Sequence, residues 1–349
     1  MLEQIENLLK DNNFNTIGIV SHVNPDPDAI GSILGMKKLI NLINPEIVVV
    51  PIWDGVVSGT QNKTLVNVLN ISMTLSSSID DWSSFADGYI SVDAMPERTV
   101  GEGGNCILVV DHHKADTKQK ILKDIRISGS CCAIIWSYFE EYEKKYSKEV
   151  FSESDDLDIA VATAMVIGIK TDTNDFVSEN VKDIDFEAHK HLTKYIDRRN
   201  FSSIINCPIP QYHFEVRSRL DKEDNYETFN GVFVGGLEFL STSKDESLYL
   251  LADERSRCEG IDTSIVFAIV GECLKASVRS TNQATDVNSL CHDIFGKDFS
   301  GGKPGGIGGA NVPVTTLIPI EKMSDELKCK LWSYLRDSIF EKVKNATKI

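Results

Sequence analysis

The chain alternates strand-like apolar runs with helix-like segments, and this pattern constrains the fold more than any other feature. Three runs have the length and apolar content of buried strands: residues 16–21, 87–92 and 106–110. Helical spacing follows at residues 29–44, 131–142 and 158–169. The alternation predicts an α/β fold with a doubly wound, mainly parallel sheet. Because sites in such sheets lie outside the carboxyl ends of the strands, we expect His22, Asp93 and Asp111 to meet there.

With 349 residues, the chain is long enough for two domains. We expect a domain that contains the doubly wound sheet over residues 1–197 and a smaller α/β domain over residues 228–349, with a cleft between them. The helical pattern breaks at Pro208 and Pro210, so residues 198–227 are interpreted as a linker. In the second domain we predict a helical segment at 264–270.

The formal net charge of −16 makes long duplex nucleic acid an improbable partner, because such binding depends on many Lys/Arg contacts to phosphate. No apolar stretch reaches the roughly 18–20 residues of a membrane span, and the polar, acidic N-terminus lacks the basic region of a signal peptide. The eight cysteines are scattered without a C-x-x-C pair. These features predict a cytoplasmic protein without a membrane partner.

The first motif is His-x-x-x-Asp-x-Asp, formed by His22, Asp26 and Asp28 directly after the first strand-like run. Pro25 and Pro27 stiffen this turn because proline fixes φ, so three side chains can be aimed into one pocket. The alternative is that Asp26 and Asp28 only cap the following helix, and the motif alone leaves the two interpretations about equal.

The second motif is Asp111-His112-His113, at the end of another strand-like run. Imidazole and carboxylate ligands without a thiolate suit Mn²⁺ better than a structural zinc. A pair of such cations is the usual means of activating water against a phosphate ester.

Together these motifs resemble the DHH phosphoesterase superfamily, and the resemblance extends over nearly the whole chain. Its lone strand-end aspartate is matched by Asp93, and its Thr-Asp-Thr motif is matched by residues 171–173. The resemblance implies two Mn²⁺ ions, with Mg²⁺ or Co²⁺ as substitutes. One is expected on His22, Asp26 and Asp93, and the other on a second set that Asp93 bridges: Asp28, Asp93, His112 and Asp172. His113 is then the phosphate contact or proton donor, and Asp111 orients an imidazole.

The C-terminal part resembles the DHHA1 substrate-binding domain. The implied substrate-binding residues are Arg279, Ser280, Gly301, Gly302 and Lys303. Lys303 stands where the family usually has histidine, and Ser300 stands where glycine is typical. Lysine binds phosphate as a point charge, so the departure bears on the substrate more than on the chemistry.

The resemblance implies a Mn²⁺-dependent phosphodiesterase that releases 5′ mononucleotides from short single-stranded oligonucleotides or dinucleotides, with adenosine 3′,5′-bisphosphate as a further substrate. Two enzymatic alternatives remain: a cyclic-dinucleotide phosphodiesterase and an inorganic pyrophosphatase or polyphosphatase. Outside enzymology, the same residues are compatible with a nucleotide-binding sensor or a metal-stabilised scaffold. The sequence is also compatible with a homodimer.

Overall fold

The computed structural model describes residues 1–57, 59–114, 116–303, 305–314 and 318–347, with Lys303 described by its backbone only. The chain divides into two compact units, Met1–Pro208 and Ile209–Ile349. None of the helices in the described ranges combines the length and the apolar character that crossing a bilayer requires.

The first unit contains six strands and eight helices within its described residues. The strands are β1 (Thr16–Val20), β2 (Val48–Trp53), β3 (Thr74–Leu75), β4 (Gly88–Val92), β5 (Cys106–Asp111) and β6 (Leu122–Ile125). The helices are α1 (Leu2–Asp11), α2 (Pro27–Ile43), α3 (Thr60–Val68), α4 (Trp82–Phe85), α5 (Cys131–Tyr146), α6 (Asp156–Asp172), α7 (Asp183–Leu192) and α8 (Arg198–Ile205).

All strand pairs in the first sheet are parallel, in the order β3-β2-β1-β4-β5-β6, which confirms the predicted α/β class and sheet type. The chain leaves β1 for β2 on one side and returns to β4 on the other, so the strand order reverses between β1 and β4. Ligand sites in open α/β sheets lie at such a switch point, outside the carboxyl ends of the strands. This is the edge at which His22, Asp93 and Asp111 stand.

Helices α2 and α6 pack closely through glycines. A Cβ at Gly168 of α6 would lie 2.9 Å from both the Cα of Asp28 and the carbonyl oxygen of Pro27. Only glycine permits this separation without a shift of backbone. The contact places the end of α6, and therefore Asp172, beside the beginning of α2.

The second unit is built on a mixed sheet of order β11-β12-β10-β9-β8-β7. Its strands are β7 (Tyr226–Phe229), β8 (Val232–Leu240), β9 (Thr263–Val270), β10 (Cys273–Ser280), β11 (Ser300–Lys303) and β12 (Ile307–Pro313). Its helices are α9 (Gln211–Leu220), α10 (Glu246–Ser256), α11 (Val287–Phe295) and α12 (Asp325–Ala346). One apolar cluster includes α11 and α12, and a separate cluster includes α9 and α10.

Two sequence expectations differ from the structure. Residues 198–227, interpreted as a linker, contain α8 in the first unit and α9 in the second. Both helices bury apolar side chains, Ile204 in α8 and Val216 with Leu220 in α9. The segment 264–270, predicted to be helical, lies in β9. Its residues are all buried, and a short, continuously apolar run does not reveal its period.

Candidate metal centre

Six side chains proposed as metal ligands converge from five places at the edge of the first sheet. His22 follows β1, Asp26 and Asp28 lie at the beginning of α2, Asp93 follows β4, His112 follows β5, and Asp172 ends α6. Their potential ligand atoms form two groups in which all atoms lie within 4.8 Å of one another: His22, Asp26 and Asp93, and Asp28, His112 and Asp172. A third group within the same distance joins Asp93 and His112 to Asp111 and His113.

Asp93 belongs to the first group and also faces His112 of the second. One of its carboxylate oxygens, Oδ2, is 3.4 Å from Nε2 of His22, and the other, Oδ1, is 3.2 Å from Nε2 of His112. The backbone of Asp93 has a positive φ of 55°, a conformation that aspartate tolerates better than most residues. Its N–H donates to the carbonyl oxygen of Val110 in β5 at 2.9 Å. The two oxygens therefore face two different imidazoles.

Both imidazoles have their Nδ1 atoms engaged by backbone carbonyl groups. Nδ1 of His22 is 3.0 Å from the carbonyl oxygen of Val23, and Nδ1 of His112 is 3.0 Å from that of Ser128. A carbonyl oxygen only accepts, so Nδ1 carries the proton and Nε2 faces the carboxylates. This use of the second ring nitrogen is typical of metal-binding histidines.

The atoms that face the centre are buried without satisfactory hydrogen bonds. Within the described residues, Nε2 of His22, Nε2 of His112 and Oδ1 of Asp93 have no hydrogen-bond partner of good geometry. Buried polar atoms are rarely left in this state, and a bound ion is one of the established reasons. The donor set, imidazole and carboxylate without thiolate, fits hard or borderline divalent cations.

Several neighbouring carboxylates shift the pKa values of His22 and His112. Burial alone would lower the pKa of His22, but Asp26 and Asp93 outweigh it and raise that pKa to about 11. His112 behaves in the same way, since Asp93 overcomes the effect of burial and its pKa rises to about 11. The attraction acts at 3.2–3.6 Å even though the atoms are poorly aligned for hydrogen bonding. Protons thus take the place of cations here, and any metal that binds must displace them.

The pKa values of the carboxyl groups shift in opposite directions, according to their surroundings. Desolvation and the charge of Asp93 raise the pKa of Asp28 to about 7. Desolvation and the charge of Asp28 raise the pKa of Asp172 to about 8. Burial also disfavours the charge on Asp93, yet the neighbouring imidazoles His112 and His22 more than compensate and hold its pKa below the usual range.

Asp26 caps helix α2 with its side chain, whereas Asp28 does not. Oδ1 of Asp26 accepts from the backbone N–H groups of Asp28 and Ala29, so this residue caps α2, while its Oδ2 lies 3.6 Å from Nε2 of His22. Asp28 is fully buried, and its two oxygens accept from the N–H groups of Cys131 and Cys132 at the start of α5. Asp26 therefore caps the helix and also faces His22, whereas the side chain of Asp28 is oriented by the first N–H groups of α5.

Asp111 and His113 form a pair beside this cluster. Oδ1 of Asp111 accepts from the backbone N–H of His113 at 3.0 Å and is 2.8 Å from its Nδ1. Asp111 is buried, whereas the side chain of His113 is 43% exposed. Its Nδ1 also lies 3.7 Å from Oδ1 of Asp93. The imidazole is thus held at the border between the ligand cluster and solvent.

The five predicted substrate-binding residues lie in the second unit, on neighbouring strands. In the register of β10, β12 and β11, Arg279 is opposite Ile307, and Ile307 is opposite Lys303. The guanidinium of Arg279 is already engaged, with Nε 2.5 Å from Oδ1 of Asp253 and Nη1 3.0 Å from Oγ of Ser277. Arg279 is therefore not a free cation. The side chain of Lys303 lies outside the described part of the chain.

Ser280 and the glycines have structural roles that the sequence did not reveal. The hydroxyl of Ser280 is 2.9 Å from that of Thr263. Gly301 is paired with Gly309 in the sheet. A Cβ at Gly302 would lie 2.7 Å from the backbone nitrogen of Asn288 in α11, so this glycine allows β11 to approach the helix. Gly302 therefore serves close packing, and the implied role of Gly301 and Gly302 in substrate binding stays a prediction.

Sequence reasoning missed the buried residues that hold the ligands in place. The carbonyl oxygen of Ser128, before α5, contacts His112, and the hydroxyl of Ser128 donates to Asp185 in α7. Asp185 lies in a charge-rich helical pattern and carries no signal that separates it from surface residues. The signal that could have pointed to this segment is Ser130 before the helical pattern, because Ser is a preferred N-cap.

The fold and the ligand cluster define an α/β domain with a candidate two-metal centre at its switch point. Residues 16–169 match the DHH family, N-terminal domain. The match does not reach the second unit, so the resemblance of that unit to a DHHA1 domain stays a prediction.

The chain is also similar to individual proteins. An uncharacterized protein of Methanocaldococcus jannaschii is 29% identical over 308 residues, which is 85% of this chain and 58% of that protein. The chain thus spans little more than half the length of this curated relative. The crystal structure of an exopolyphosphatase-related protein from Bacteroides fragilis aligns over 98% of this chain and 97% of that one, with a TM-score of 0.69 and 14% identity. That likeness shows a shared fold.

Proposed function

We propose that the protein is a divalent-metal-dependent hydrolase of phosphate esters. The observation that carries this proposal is the set of buried, unpartnered ligand atoms on His22, Asp93 and His112, which face one another between two carboxylate-rich groups. When bound, two cations supply positive charge for the phosphoryl oxygens and lower the pKa of a water molecule. Mn²⁺ is the proposed metal, with Mg²⁺ or Co²⁺ as substitutes.

In this proposal, His22, Asp26 and Asp93 hold one cation, and the other is held by Asp28, Asp93, His112 and Asp172. His113 has a different task because it is half exposed and its Nδ1 is fixed by Asp111. Its Nε2 is free to contact a phosphate oxygen or to donate a proton to the leaving oxygen. A positioned imidazole of this kind contributes typically about 10²–10⁴-fold to rate.

We propose short single-stranded oligonucleotides or dinucleotides as substrates, with hydrolysis to 5′ mononucleotides. The net charge of −16 supports a short substrate, since repulsion from the protein grows with the number of phosphates. Arg279 and Lys303 remain the candidate phosphate contacts of the second unit. Because the guanidinium of Arg279 is already paired with Asp253, the argument for nucleotide recognition by Arg279 is weaker. Pyrophosphate or polyphosphate is therefore the second candidate substrate.

A hydrolysis panel with Mn²⁺ tests the proposal. It contains pApA, a five-nucleotide RNA, adenosine 3′,5′-bisphosphate, cyclic di-AMP, cyclic di-GMP and pyrophosphate. We expect turnover of the linear nucleotides, and a loss of at least about 100-fold in Asp93→Asn, since a bridging ligand matters more than the 10–100-fold typical of outer groups. Asparagine tolerates the positive φ at this position.

The matched control is Asp158→Asn, another buried aspartate of the first unit, which pairs with Lys38 and lies 14 residues before Asp172 in α6. It is expected to keep wild-type turnover. Hydrolysis of pyrophosphate alone would refute the nucleotide assignment. Nucleotide binding without turnover would indicate a sensor, and unfolding of Asp93→Asn without loss of turnover per folded molecule would indicate a scaffold.

A further inference from the structure

A buried carboxylate outside the sequence motifs organises the segment between β6 and α5. Asp185 of α7 is fully buried and accepts hydrogen bonds from three consecutive residues of that segment. The donors are the hydroxyl of Ser128 at 3.1 Å, the N–H of Gly129 at 2.8 Å and the hydroxyl of Ser130 at 3.1 Å. The N–H of Lys182 donates to Oδ2 at 2.9 Å. Four donors converge on one charge, and charge-assisted bonds of this kind are stronger than neutral ones.

The same segment contacts two of the proposed metal ligands. The carbonyl oxygen of Ser128 accepts from Nδ1 of His112 at 3.0 Å and so determines which ring nitrogen faces the centre. Ser130 caps α5, and the first N–H groups of that helix donate to both oxygens of Asp28 at 2.7 and 3.0 Å. Residues 128–130 thus contain the carbonyl group that orients His112 and the cap of the helix whose N–H groups orient Asp28.

A third ligand is reached through packing. A Cβ at Gly129 would lie 2.6 Å from Cγ2 of Thr173, the residue that follows Asp172, and 2.9 Å from Oδ2 of Asp185. The backbone of this segment is therefore pressed between Asp185 and the end of α6. A shift of Gly129 cannot be absorbed without moving one of these neighbours.

From this geometry we propose that Asp185 is a positioning residue of the metal centre, which acts through residues 128–130 on His112, Asp28 and the end of α6. The inference rests on the proposed function, because it assumes that these residues bind cations. In Asp185→Asn an amide NH₂ replaces one acceptor oxygen and meets donors, and the charge that the four donors complement is lost. We expect the affinity for Mn²⁺ to fall about tenfold or more, as for other groups that orient metal ligands.

The test is a titration of the metal-free protein with Mn²⁺. The electron paramagnetic resonance signal of the free ion measures how much Mn²⁺ stays unbound at each step. Thermal unfolding of each metal-free variant is measured in parallel. Asp158→Asn is the control, because this buried carboxylate accepts from the N–H of Ser152 and pairs with Lys38 of α2 at the beginning of α6, at the opposite end of that helix from Asp172. We expect it to lower the melting temperature while leaving Mn²⁺ affinity within about twofold of wild type.

The proposal is overturned if Asp185→Asn binds Mn²⁺ as tightly as wild type, or if Asp158→Asn loses affinity in proportion to its loss of stability. If Asp185→Asn does not fold, Ser128→Ala replaces it in the test, since it removes one donor to Asp185 and keeps the carbonyl group. A severalfold loss of affinity is then expected, and unchanged affinity overturns the proposal. A wild-type protein that binds no Mn²⁺ would instead refute the proposed function.

Discussion

The contact between α2 and α6 gives the sharpest test of how the fold brings the ligands together. Replacing Gly168 with alanine would place a Cβ 2.9 Å from the Cα of Asp28 and 2.9 Å from the carbonyl oxygen of Pro27. Both atoms belong to the backbone of α2, so no side-chain rotation relieves the clash. The two helices must separate, and Asp172 must move away from Asp28.

The magnitude follows from two opposing effects. Overpacking a buried contact costs about 1–3 kcal/mol, and replacing a helical glycine with alanine returns up to about 1 kcal/mol of helix propensity. We expect a net loss of about 1–2 kcal/mol in the free energy of unfolding. For a unit of about 200 residues this lowers the melting temperature by roughly 2–8 °C. Because the ligands also separate, the affinity for Mn²⁺ should fall.

The matched control is Gly35→Ala in the same helix interface. There the new Cβ would lie 2.9 Å from Sδ of Met165, the same separation as at Gly168. Methionine is flexible and can move aside, so stability should stay within about 1 kcal/mol of wild type. Thermal unfolding and Mn²⁺ titration of both variants provide the measurement. A Gly168→Ala protein as stable as wild type, or a larger loss in Gly35→Ala, would refute the reasoning.

Three further predictions concern the site and the second unit. Without a divalent cation, the free energy of unfolding should fall as pH rises from about 6.5 towards 9, because His22 and His112 keep their protons to a pKa of about 11 when folded but release them near 6.5 when unfolded. Melting temperatures in a chelator test this, and a flat or rising profile would contradict it. His113→Ala should lower kcat by about 10²–10⁴-fold and leave Mn²⁺ affinity within about twofold, because His113 is proposed to contact substrate and not metal. Single-turnover rates and calorimetry separate the two effects, and an equal loss in both would make it a ligand instead. Arg279→Ala and Asp253→Ala should show a coupling of at most about 1 kcal/mol in a double-mutant cycle of unfolding, because Asp253 is 38% exposed and solvent screens the pair. A much larger coupling would mean that this ion pair is a main support of the second unit.

The first sheet and its ligands could be predicted because their signals are local. His22, Asp93 and Asp111 each follow an apolar strand directly, and parallel strands bring their carboxyl ends to one edge. Asp172 differs, because only the resemblance to the family's Thr-Asp-Thr motif implied that it joins these residues. The roles of these residues as ligands remain predictions, but their proximity in the fold agrees with the pattern.

The second unit and the supports of the site depended on contacts between distant segments. The charged residue Arg279 is held by Asp253, which lies 26 positions earlier, and no local pattern announces that pairing. Asp185 reaches Ser128 across 57 positions, and its burial results from the packing of α7, not from its own polarity. Local spacing specifies which residues end a strand or begin a helix. Which polar groups then satisfy one another depends on how the helices and strands pack, because a buried charge takes whatever donors the neighbouring segments present.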